Sequence, residues 1–131
     1  MAGISAYLQK VLLDWDLTTT APTKPAAWSV GLSLGVPSSV SGSEIATGSG
    51  ITRQTLTMAA AASPAGSASN LNAMTFGPIS AAGTVSGLQI WDTGAATAGN
   101  MLWYGTLTAA RTLSPGDSLT IAAGNLIITL A

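Results

Sequence analysis

The chain's stock of charged side chains is five acids, Asp14, Asp16, Glu44, Asp92 and Asp117, and four cations, Lys10, Lys24, Arg53 and Arg111. There is no His and no Cys. That removes the commonest general base, the thiolate nucleophile, and the disulfide, iron–sulfur and Cys-zinc sites. A glycosidase needs two carboxylates facing one cleft, and no two of these acids are placed by local sequence to do so. Asp92 and Asp117 fall in turn sequences, where an Asp side chain caps the local backbone. Calcium asks for six to eight oxygens, usually from a dense acidic loop, and no such loop occurs. Without His a serine nucleophile has only lysine as a base, and neither Lys10 nor Lys24 has a Ser-x-x-Lys spacing. Gly48-Ser49-Gly50 lacks the lysine and following helix of a phosphate-binding loop. These residues predict no enzyme, no bound metal and no cofactor.

Charged residues are 7% of the 131, with a formal net charge of −1, against about 25% charged in an average soluble domain. Four cations are too few for a phosphate-binding face, so no nucleic-acid partner is expected. Hydrophobic residues reach 47%, yet no apolar run approaches the roughly 18 residues of a spanning helix. No membrane partner is expected. The N-terminus lacks a secretory pattern, because Lys10 interrupts the first apolar segment. The expectation is a soluble protein made in the cytoplasm. Its Ser/Thr/Ala-rich, weakly charged surface is of the kind that copies or partners cover.

The elements that must position these residues fall into three stretches. Ile4, Tyr7, Leu8, Val11, Leu12 and Trp15 recur at helical spacing, predicting a helix over residues 1–17. It packs on its own domain or serves as an arm that docks on a neighbour. Pro22 and Pro25 make residues 18–27 an extended linker. Residues 28–131 have β texture. Trp28, Val30, Leu32 and Leu34 alternate with Ser and Gly; Ser38–Gly50 reads as a surface loop; alternation resumes over Ile51–Met58, with Arg53, Thr55 and Thr57 on one side. Ala59–Ser69, with Pro64, reads as a loop or loose edge. Further strands are predicted at Leu71–Phe76, Val85–Trp91, Met101–Leu107, Ser118–Ile121 and Leu126–Leu130. Ala95–Asn100 closes one hairpin, Pro115-Gly116-Asp117 makes a turn, and Ala123-Gly124-Asn125 makes a second hairpin. Leu126-Ile127-Ile128 predicts a last strand buried on both faces. Seven or eight short strands at such spacing predict an all-β, jelly-roll-like β-sandwich preceded by a short N-terminal α-helix.

Arg53 and Arg111 sit on or beside strands among uncharged neighbours. Arg53 can pair with Glu44, and Arg111 with Asp92 or Asp117. They are either exposed strand arginines or members of intersubunit salt bridges. Trp91 and Trp103 flank the central hairpin, and adjacent Trp103 and Tyr104 point to opposite faces. Core or interface packing, or stacking against a sugar, are the uses open to these rings. Glu44, Arg53, Trp91, Trp103 and Arg111 are the candidate interface residues.

Gly42-Ser43-Glu44-Ile45, followed by Gly50-Ile51-Thr52-Arg53-Gln54, resembles a segment of small tailed-bacteriophage virion structural proteins. In those an acidic, Ser/Gly-rich loop precedes a Gly-Tyr-x-Arg-Gln type sequence; here Ile51-Thr52 stands in place of the aromatic. The resemblance continues through Ile90-Trp91-Asp92, Gly99–Gly105, Pro115-Gly116-Asp117 and Ala122-Ala123-Gly124. It implies a virion protein made in the host cytoplasm, in the role of a capsid decoration or cement protein, or else a tail or tail-fibre component. As decoration, homo-oligomers, trimers first, would clamp the major capsid protein on the head surface. As a tail component, the chain would bind tail proteins. The docking residues would be Ile4, Tyr7, Leu8, Val11, Leu12 and Trp15. A free carbohydrate-binding module is the alternative of a different class.

Overall fold

The computed structural model describes residues 2–40, 44–45, 49–62, 66–96 and 98–130. Gly42, Ser43, Gly48 and Pro64, singled out above, lie outside the described residues. The elements are β1 (Ala2–Ile4), α1 (Ala6–Leu17), β2 (Trp28–Ser33), β3 (Gln54–Leu56), β4 (Ser67–Ser69), β5 (Met74–Phe76), β6 (Gly83–Trp91), β7 (Met101–Leu113), β8 (Leu119–Ile121) and β9 (Ile127–Thr129). The chain is an all-β sandwich with one short N-terminal helix.

One layer is an antiparallel five-stranded sheet in the order β1-β7-β6-β2-β3. Its backbone is the β6–β7 hairpin, with Ile90 opposite Trp103 and Gln89 opposite Tyr104. β2 lies on the other side of β6, with Leu32 opposite Leu88 and Val30 opposite Ile90. Two-stranded sheets β4-β9 and β5-β8 form the rest. Val30, Leu32, Leu56, Met74, Phe76, Val85 and Ile90 form the buried apolar core that joins them. Alternation places Ser29, Gly31 and Ser33 on the reverse face of β2. That face is buried as well, so all but the first residue of the strand is hidden from water.

Two asparagines fasten the small sheets. Buried Asn70 accepts the Leu126 amide at Oδ1 (2.8 Å) and donates from Nδ2 to the carbonyls of Asn72 (2.7 Å) and Ala122 (3.0 Å). Asn72 accepts the Thr57 amide (2.8 Å) and donates to the Thr55 carbonyl (2.8 Å). Each amide side chain copies the donor–acceptor pair of a backbone peptide, so it can extend a ladder that has run out of strand.

Several expectations are corrected. Ile4 is not on the helix: it lies in β1 opposite Trp103, and Ser5 caps the helix one residue later. Of the two readings of residues 59–69, loop or loose edge, the edge applies at Ser67–Ser69, which form β4 against β9. The last strand is not buried on both faces: Ile128 packs against the core, while Ile127, on the opposite face of β9, is 63% exposed. Ala123–Asn125 makes a turn but not a hairpin, since β8 pairs with β5 and β9 with β4. β7 runs on to Leu113 by tolerating a bulge in which Leu107–Ala110 stand opposite Ser86 alone. Arg53 does not share the exposure of Thr55, because it precedes the short β3 rather than alternating within it.

Candidate interaction site

The helix carries the first group of candidate residues. Ser5 accepts the Leu8 amide (3.1 Å), the bond expected of an N-cap serine. The Ser5 hydroxyl also donates to the Met101 carbonyl, and its amide donates to the Leu102 carbonyl (2.9 Å). Ala6 donates to the Ser39 carbonyl (2.9 Å). The helix is thus pinned at its first turn. Thr18 ends it, its amide returning to the Asp14 carbonyl (3.0 Å). Lys10 pairs with Asp14 one turn on, and that carboxylate raises the lysine pKa above its ordinary value, through the hydrogen bond first and charge second.

Beyond the pinned turn, α1 has no buried residue. Leu8, Val11 and Leu12 of the expected stripe are half-buried; Tyr7 is exposed, and Trp15 is 61% exposed. Leu13 and Leu17, off the stripe, are 58% and 73% exposed. Their separation of four residues makes them one ridge on the far side of the helix. The stripe pattern missed them; the signal was simply that apolar residues are not confined to one side. A helix apolar around most of its circumference belongs in a buried setting.

The second group meets around Arg53, whose side chain is 1% exposed. Its Nε and Nη2 hold both carboxylate oxygens of Glu44, at 2.7 and 2.8 Å. Its Nη1 faces the carbonyls of Thr93 (3.1 Å), Ala95 (2.8 Å) and Ala98 (2.9 Å). The guanidinium carbon stands 3.9 Å from the centre of the Trp91 ring. Glu44 is brought there by a bridge to Ser33 and by the Ile45 amide donating to the Leu32 carbonyl (2.9 Å). Gly31 leaves the space its carboxylate occupies; a Cβ there would strike it. Trp91 donates to Gln89 (3.0 Å), and buried Gln89 donates to Ser33.

This arrangement is a clamp. One guanidinium, neutralised by one carboxylate and stacked on one indole, gathers the carbonyls of the 92–100 loop. The loop base is closed independently: Asp92 accepts the Asn100 amide (2.7 Å) and its Nδ2 (2.8 Å). The positive φ of Gly99 permits that closure. Arg53, Glu44 and Trp91, expected as interface residues, are therefore engaged with one another inside the chain. Trp103 packs against the core opposite Ile90. Arg111 is not brought to this cluster. It stands exposed on β7 opposite Val85 and forms no ion pair with another described residue. Asp117 instead accepts the Ser114 amide (2.8 Å). Among the described residues no three acids gather as metal ligands.

The loop clamp and the exposed helix sit at the same end of β7, since β1 and Ser5 meet its first residues and the loop leads into Met101. No curated protein matches the chain. A family model matches it over residues 3–129, nearly its whole length, from β1 through β9. The chain belongs to the family of that model, Podophage GP4 fiber I protein gp80, and so to the structural proteins of the phage virion.

Proposed function

We propose that the chain is a non-catalytic subunit of a phage tail fibre, held to neighbouring virion proteins through α1. The family match supports the fibre assignment over the head-decoration role implied by the sequence resemblance. The observation that carries the mode of action is the helix: pinned at Ser5, without one buried residue, and exposing Tyr7, Leu13, Trp15 and Leu17. Its removal from water needs another surface. Covering such side chains contributes about 1.5–3 kcal/mol each when complete. The absence of His and Cys supports a role without catalysis. So does the employment of Glu44, Asp92 and Asp117 in holding backbone and Arg53.

Antibody-gold labelling of purified virions tests the location. Label on the tail supports the fibre reading. Label spread over the head at tens to hundreds of copies favours decoration instead. Replacing Leu13, Trp15 and Leu17 with Ser tests the attachment. The variant should keep the cooperative thermal unfolding of the sandwich and drop out of the particles; full incorporation would sink the role of α1.

A further inference from the structure

The sandwich has a second open surface, of mixed polar and apolar lining, toward the opposite end of β7 from the helix. The small sheets are too narrow for the five-stranded one, and a groove of about 600 Å³ is left between the bulged half of β7 and β8. Leu88, Leu107, Leu119, Ile121 and Leu126 line it, and Arg111 is its one charged lining residue. A hollow of about 360 Å³ continues it alongside β9.

The helix cannot fill the groove of its own chain. β1 runs against β7, with Ala2 opposite Gly105 and Ile4 opposite Trp103, so the chain travels toward the start of β7. Ser5 then anchors at Met101 and Leu102, and α1 leaves from there. The groove lies beyond Leu107.

The two surfaces complement each other in charge. The Leu13–Leu17 ridge is apolar; the groove is open, its Leu and Ile side chains interleaved with Thr, Ser and Asn. Beside the ridge stands Asp16, exposed and without an ion pair among the described residues, while Lys10 and Asp14 neutralise each other. The unpaired carboxylate of the helix thus matches the unpaired guanidinium of the groove. The pair would fix the register of the contact more than its strength, because both ions give up water to meet.

Resting on the reading of α1 as the contact element, we propose that its partner is a second copy of this chain. Leu13 and Leu17 of one copy seat in the groove of the next, and Asp16 meets the next copy's Arg111. The contact is heterologous, joining the helix end of one copy to the groove end of another. Repetition yields a ring or an open filament, according to the rotation between copies.

Sedimentation velocity of the full chain over a wide concentration range tests this. The expected result is concentration-dependent association. L13S/L17S and the groove-filling A109W should each weaken it by about tenfold or more, as truncated or blocked anchors do. D16K and R111E should each weaken it, and the D16K/R111E pair should restore it. A chain that stays monomeric throughout overturns the inference. So does association indifferent to A109W, or a charge pair without rescue. A monomeric chain whose L13S/L17S variant also fails to enter virions removes the second copy as partner and leaves the fibre reading intact. A chain that associates as expected but is located on the head does the reverse.

Discussion

Arg53 and Glu44 show what one ion pair does when it is enclosed. An exposed pair contributes little, but breaking a buried one leaves an uncompensated charge and costs about 3–5 kcal/mol. Glu44 keeps a 22% exposed side chain, so Arg53→Met should fall at or below the lower end of that range in urea denaturation. The same variant should speed amide exchange across residues 92–100, because three loop carbonyls lose their common donor. A destabilised protein with an unchanged loop would separate the pair from the clamp. Asn70→Ala should cost about 1–3 kcal/mol, the desolvation cost of leaving the buried Leu126 amide unsatisfied. At this scale the sequence was half legible. An arginine among uncharged neighbours, nine residues after a lone glutamate, announced a pairing. Nothing local announced that a loop forty residues later would fold over it, or that Trp91 would lie beneath. Asn70 was hidden too: in a Ser/Asn-rich stretch an asparagine reads as a turn residue, and its worth comes from contacts 52 and 56 positions away.

The elements were legible where periodicity was long. α1 and the β6–β7 hairpin followed from apolar spacing and a turn. Three-residue strands such as β1 and β4 carry too little period to be read, and exist because a partner strand is waiting. The continuously apolar Leu126–Ile128 misled for a related reason: burial was inferred from composition, but only alternate residues of β9 face the core. Ser5 is the element-scale residue of most consequence, joining helix to sheet. Ser5→Ala should cost about 1 kcal/mol for the cap, and more for the lost Met101 contact, measured by thermal unfolding. Lys10→Ala should leave the thermal midpoint essentially unchanged, since a solvent-exposed helix pair contributes little. Asp14 raises the Lys10 pKa, so the pair's contribution holds below the unfolded lysine pKa and disappears as pH rises through the higher folded value. A stability change near neutral pH would therefore have another origin.

Across the whole molecule the scarcity of charge acquires a structural meaning. The described ion pairs are local to the chain: Glu44 holds Arg53, and Asp14 holds Lys10. What remains outside is mostly Thr, Ser and Ala, a few charges such as Asp16 and Arg111, and apolar side chains on α1, at Val36 and Val40, and at Leu71 and Ile127. Reconstruction of the intact virion by electron microscopy tests this account most directly. It predicts the sandwich within the tail fibre, with α1 covered by a neighbouring chain. Copies arrayed on the head shell, or a fibre in which α1 faces solvent on every copy, would contradict it.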